Sequence, residues 1–210
     1  MKKMTKLAVL CSVLASAGVV SGEASATSYR HPLTSASPWI NNWFDRNTGA
    51  GFLRYDGSTV ARYDGHYGID FWLSVGQVFA GANGTVVYTE NTCYDKGHYL
   101  YSLECGNRFG NHVRILDPDG KTSVYGHMRR GSVVVAQGSQ VSCSQLLGTI
   151  GESGEAYGAH LHFEVRNQTW GKSSDVAVDP FAGPAGFGWR STRVSYWVNQ
   201  NGGLPTTQCQ

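Results

Sequence analysis

The chain has 210 residues, of which 41% are hydrophobic and 15% charged, with a formal net charge of +2. Lys2, Lys3 and Lys6 supply three of the 17 basic residues and Glu23 one of the 15 acidic ones, so the remainder carries 14 of each. A body that close to neutrality lacks the broad basic face of a nucleic-acid binder, and no nucleic-acid partner is expected.

In chain order, the basic start is followed by an apolar run over 7–20 and by Ala24-Ser25-Ala26, a small-x-small cleavage site. Residues 1–26 therefore read as a signal peptide, with the mature chain beginning at Thr27 and the protein secreted or periplasmic. The run is shorter than the roughly 20 residues a bilayer requires, so no stable membrane insertion is expected. Cys11 lies inside the run and not behind a small residue at its end, which argues against a lipoprotein.

Residues 27–64 hold Pro32, Pro38, Trp39, Trp43 and Phe44 among polar residues, and read as an irregular arm packed on the rest. From residue 65 to 181, short alternating runs rich in Val, Thr and Tyr are separated by Gly, Asn, Asp and Ser, the pattern of an all-β domain. Strands are predicted over 84–89, 112–116, 122–127, 132–136, 147–150 and 160–166. Asp117-Pro118-Asp119-Gly120 is a turn between two of them, because Pro presets φ and Gly accepts a positive φ. Residues 182–210 read as an irregular tail, and a monomer is expected.

Apart from Cys11, the cysteines are Cys93, Cys105, Cys143 and Cys209. An even count in an exported chain points to two disulfides. No C-x-x-C pair suggests a cysteine zinc site. Of three possible pairings, Cys93–Cys105 would staple a loop and leave Cys143–Cys209 to pin the tail.

The histidines carry the chemistry. His66 lies four residues before Asp70, and both side chains are ordinary zinc ligands. In a flat strand these positions would be about 13 Å apart; Gly65 and Gly68 permit the bend that would bring them together. His160-Leu161-His162-Phe163-Glu164-Val165-Arg166 is sharper. Alternation puts Leu161, Phe163 and Val165 on an apolar face and His160, His162, Glu164 and Arg166 on the other. Two histidines on one face can both reach a metal, one as ligand and one beside it. His127 ends another predicted strand. His31, His98 and His112 are given no role, since isolated histidines are ordinarily structural.

Three elements in this order, His66-Tyr67-Gly68-Ile69-Asp70, His127 and His160-Leu161-His162, resemble those of the lysostaphin/LytM-type zinc metallopeptidases. So do the stretch Val78-Phe79-Ala80-Gly81-Ala82-Asn83-Gly84-Thr85-Val86-Val87 and Gly148-Thr149-Ile150-Gly151. The resemblance covers about 65–181 and leaves the arm and tail outside. Ala159 stands where the family often has Pro, a position that holds no metal. The resemblance implies a compact antiparallel β-sheet or sandwich domain with an active-site groove. It also implies one zinc ion per chain held by His66, Asp70 and His162, with His160 and His127 assisting catalysis, and a peptidoglycan peptide as substrate. We expect His160 to act as general base and His127 to stabilise the oxyanion. No H-E-x-x-H is present, which excludes the glutamate-base zincins. The competing expectations are a non-catalytic cell-wall scaffold of the same fold, a peptidoglycan DD-carboxypeptidase, and a broader protease with Gly-Gly preference.

Overall fold

The structure is a computed structural model that describes residues 26–34, 39–44, 52–53, 59–60, 66–168, 176–181, 195–198 and 206–209. Residues 1–25 of the expected signal segment and most of the expected tail lie outside the described residues. No helix among the described residues is long and apolar enough to cross a membrane.

The architecture is all-β and antiparallel, as expected. Twelve strands are present among the described residues. They are β1 (Trp39–Asn42), β2 (Phe52–Leu53), β3 (Thr59–Val60), β4 (Ile69–Trp72), β5 (Gln77–Phe79) and β6 (Gly84–Glu90). The others are β7 (Asn111–Leu116), β8 (Thr122–Met128), β9 (Gln140–Val141), β10 (Leu146–Thr149), β11 (His160–Arg166) and β12 (Ala177–Val178). The main sheet runs β1-β4-β11-β8-β7-β6-β9, with β12 beside the far end of β11. β5–β10 and β2–β3 form two-stranded sheets.

Strand β11 holds the centre. It pairs with β8 along one edge and with β4 and then β12 along the other. Register aligns Ile69, Phe163, Tyr125 and Val113 in one cross-strand row, and all four are fully buried. Such aligned apolar pairs are the unit that stabilises a sheet. Leu161 and Val165 extend the row into a core that also takes Val78 and Leu147 from the smaller sheet. The opposite face of the same three strands carries Asp70, His162 and Gly126 in register, which makes it the face on which chemistry is built.

The expected arm is only partly irregular. Its residues 39–42 form the edge strand β1 against β4, and Tyr29, Leu33, Ile40, Trp43 and Phe44 enter the core. Its start is fixed to the turn between β7 and β8. The Tyr29 hydroxyl donates to Asp117 Oδ2 at 2.5 Å, and Thr27 N donates to Asp119 Oδ2 at 2.9 Å. Burial pushes the Asp117 carboxyl up to about 8, so it accepts that bond without carrying a buried charge at neutral pH.

One predicted strand is not formed. Residues 132–136 have the right alternation, with Val133 and Val135 packed on the core and Val134 exposed. They touch β10 at single points, Val134 N donating to Leu147 O at 3.0 Å and Ser132 Oγ to Thr149 O at 3.3 Å, and build no continuous ladder with it. Val133 is held by the Asn91 side chain, whose Oδ1 accepts from Val133 N at 3.1 Å and whose Nδ2 donates to Val133 O at 3.3 Å. Both expected disulfides form, Cys93–Cys105 with Cα atoms 5.8 Å apart and Cys143–Cys209 at 6.0 Å.

Candidate metal centre

His66, Asp70 and His162 converge although 96 residues separate the two histidines. Asp70 and His162 are register partners on β4 and β11, so their side chains leave the sheet side by side. His66 reaches them because the chain bends at Gly68 just before β4. His162 Nδ1 lies 2.8 Å from Asp70 Oδ1, and His66 Nε2 lies 3.1 Å from that oxygen and 3.2 Å from His162 Nδ1. All three residues are buried. Gly68 is required here: a Cβ on it would sit 2.6 Å from Phe163 O and 2.7 Å from His162 Cε1.

The protons of this cluster point outward. His66 Nδ1 donates to Trp43 O at 2.9 Å and His162 Nε2 to Glu164 Oε1 at 3.0 Å. The second oxygen of Asp70 accepts from Asn42 Nδ2 at 2.6 Å. Glu164, buried and paired with Arg166 Nη1 at 2.6 Å, stays ionised: burial opposes its charge, and His162 and Arg166 outweigh that. With both imidazoles neutral in these tautomers, Nε2 of His66, Nδ1 of His162 and Oδ1 of Asp70 meet as three acceptors with no donor among them. Such a set is satisfied by a cation at its centre, and the N,N,O donors are those of zinc. Without a cation a proton substitutes. Burial disfavours His162 carrying it, yet the hydrogen bonds from Asp70 and Glu164 prevail and hold its pKa up to about 10.

The two remaining predicted residues sit beside the cluster. His160 Nδ1 donates to Gly158 O at 2.7 Å, and its Nε2 is 3.6 Å from Asp70 Oδ1. His127 Nδ1 donates to Ser153 O at 2.8 Å. The ring centroids of His127 lie 4.7 Å from His160 and 5.6 Å from His162. Regular alternation would have sent His127 to the core, because its neighbour Gly126 is the register partner of His162. A left-handed backbone at His127, φ 58°, re-aims it into the site where β8 leaves regular pairing. Burial, followed by the fields of His160 and His162, holds the His127 imidazole well below its usual pKa.

His31 and His112 lie elsewhere and are buried neutral, pushed by burial to about 3 and about 4. Sequence reading did not find Asn42, the carbonyls of Trp43, Gly158 and Ser153, or the Ser153–Asn111 pair behind His127. Ser153 Oγ accepts from Asn111 N at 2.8 Å and donates to Met128 O at 2.7 Å.

A β domain with a buried N,N,O cluster and two further imidazoles open to it is arranged for metal-dependent hydrolysis. Residues 64–180 match peptidase family M23, and the chain belongs to that family. Over 169 residues it is 28% identical to the glycyl-glycine endopeptidase ALE-1 of Staphylococcus capitis, covering 80% of this chain and 40% of that protein. The chain spans less than half the length of the curated relatives it matches. Two solved structures share the fold. The catalytic domain of the prophage-encoded M23 protein EnpA from Enterococcus faecalis is 22% identical with a TM-score of 0.50, covering 73% of this chain and 97% of that one. A chain of the SpoIIQ-SpoIIIAH pore forming complex is 24% identical with a TM-score of 0.53, covering 74% and 90%.

Proposed function

We propose that this chain is a secreted zinc metalloendopeptidase that cuts peptide bonds in peptidoglycan cross-links or glycine-rich bridges. The observation that carries the reading is the meeting of three acceptors whose protons are all committed outward. Membership of a peptidase family and likeness to a glycyl-glycine endopeptidase support it. His66, Asp70 and His162 would hold one zinc per chain. When bound, the ion supplies Lewis acidity that polarises a peptide carbonyl and makes water nucleophilic near neutral pH.

The chain's own groups handle the proton. His160 and His127 each donate Nδ1–H to a carbonyl, so each presents Nε2 to the site as an acceptor. We assign His160 as general base because its Nε2 lies nearest the ligand carboxylate. His127, neutral in the free chain, is assigned to the charge developing on the carbonyl oxygen; it takes this role by gaining a second proton at Nε2, which that negative charge favours, while Nδ1–H stays on Ser153 O. A non-catalytic scaffold has no use for two such imidazoles aimed at the ligands. The test is digestion of purified peptidoglycan. Chelation should abolish the release of fragments and stoichiometric zinc restore it; release that ignores the chelator would refute the metal reading. Mass spectrometry of the fragments names the bond.

We further propose the boundaries 1–26 for the signal peptide, 27–64 for the arm, 65–181 for the peptidase domain and 182–210 for the tail, in a monomer. The family match over 64–180 supports the third. Cleavage before Thr27 would turn its amide, 2.9 Å from Asp119, into an ammonium at a largely buried carboxylate. A chain beginning at Thr27 should therefore melt about 2–4 °C above one extended by Gly-Ser, the effect of roughly 1 kcal/mol on a domain of this size. Asp119→Asn should erase the difference. Equal melting temperatures in the parent would show that cleavage creates no new contact.

A further inference from the structure

The loop closed by Cys93–Cys105 carries a cluster that the peptidase chemistry does not use. The Arg130 guanidinium lies 3.9 Å above the Tyr94 ring, and its Nε donates to Thr92 O at 3.0 Å. Stacking and anchoring at Nε fix the plane of the fork. Among the described residues, neither Nη has a hydrogen-bond partner. Tyr94 stacks on His98 at 4.0 Å, and His98 on Tyr99 at 4.6 Å. Because His98 Nδ1 accepts from Leu100 N at 3.1 Å, the neutral ring carries its proton at Nε2 and is a donor there. Lys96 completes the set. Tyr94, Lys96, His98 and Arg130 line a hollow of about 630 Å³.

The one carboxylate in the lining, Asp95, is already committed. Its oxygens accept from Arg130 N at 3.2 Å and Glu152 N at 3.1 Å. The side chains of the hollow thus set Arg130, Lys96 and the His98 donor against a single carboxylate that already accepts two backbone bonds. It also stands next to the candidate catalytic site. Arg130 follows His127 by three residues, at most about 11 Å of extended chain. Asp95 bridges to Ser153, whose carbonyl holds His127.

We propose that this hollow binds a carboxylate of the substrate peptide, with Arg130 as the bidentate contact and Lys96 and His98 as supporting donors. An ordinary exposed arginine loses side-chain freedom on pairing; this one is already ordered, and its fork matches a carboxylate. The inference rests on the peptidase reading above and narrows it. Cross-links between stem peptides bear carboxylates beside the bond, whereas a glycine bridge has none along its length. The hollow therefore makes the anionic stem peptide the preferred substrate of the two.

The test uses two soluble cross-linked stem-peptide fragments that differ only in whether the carboxylates are free or amidated. For the parent protein, KM should be about tenfold lower for the free acid, the effect of one charge-assisted pair. Arg130→Ala should raise KM for the free acid to the amide's level with kcat within about twofold, and Arg130→Lys should restore little because it lacks the fork. Equilibrium binding of the same fragments to the His160→Ala protein decides the matter without hydrolysis. If that protein binds the free acid better, and Arg130→Ala added to it removes the preference, the carboxylate site stands even where the parent cleaves neither fragment; that result would instead sink the peptidase reading. A preference unchanged by Arg130→Ala overturns the proposal. So does an absence of preference together with competition by inorganic phosphate, which would mark a general anion site.

Discussion

His162→Ala and Asp70→Ala should each lose zinc and peptidoglycan hydrolysis together, whereas His160→Ala should keep nearly one zinc per chain and lose turnover. The ligand variants remove one of three atoms lying within 3.2 Å of one another, and among the described residues no fourth side chain joins that group. His160 touches the cluster only at 3.6 Å through Asp70, so the cluster survives its removal. Loss of a general base predicts a fall of about 10²–10⁴-fold. His127→Ala should also keep its metal and fall about 10²–10³-fold, as loss of an oxyanion donor does. The shape of the pH profile separates the two roles. The variant lacking the base loses the acid limb of kcat/KM; if His127→Ala rather than His160→Ala loses it, the two assignments exchange. Should His160→Ala lose its zinc while His162→Ala retains it, the ligand within the pair is misassigned.

Gly68→Ala should damage the centre without replacing a ligand. The added methyl meets Phe163 O at 2.6 Å and His162 Nε2 at 2.8 Å, and Nε2 is the atom that holds the bond to Glu164. Backbone on one side and a packed ring on the other leave little room to give. Overpacking of this kind destabilises by about 1–3 kcal/mol. Displacing the bond that orients His162 should weaken zinc binding about 10–100-fold. Gly126→Ala is the control. It lies across from His162 on β8, yet its methyl would meet only ordinary contacts at 3.4–3.5 Å. Competition with a calibrated chelator measures both; equal zinc affinities for the two variants would show that the His162–Glu164 bond does not govern the metal.

The parts of the site legible from sequence are those that repeat with the strand period. The 160–166 stretch announces its two faces, and the structure places Leu161, Phe163 and Val165 in the core with His162 and Glu164 opposite. The bend between His66 and Asp70 was readable from Gly68. His127 was named from its motif, while its direction was not, since strict alternation points it the wrong way and only the backbone at φ 58° corrects that. Strand β4 escaped because three successive residues are buried, which hides the alternation, and β1 because it offers one buried residue to the core. At 132–136 the period was present, but the contact with β10 stops at isolated bonds, and a continuous ladder is a property of the fold that no local pattern encodes. The carbonyls of Trp43, Gly158 and Ser153 left no signal, because any residue supplies the same oxygen.

The arm's grip on His66 and Asp70 would give a bound metal different guardians for its affinity and for its escape. Asp70 and His162 stand on the paired strands β4 and β11 inside the sheet, whose ladder should open only with the domain. The proton of His66 and the outer oxygen of Asp70, by contrast, are held from residues 42 and 43, at the edge of the same sheet. A brief lifting of that edge would free His66 to turn and leave the carboxylate half-solvated while the rest of the sheet stays paired. For an ion held as proposed, the equilibrium grip would belong to the paired strands and the residence time to the arm.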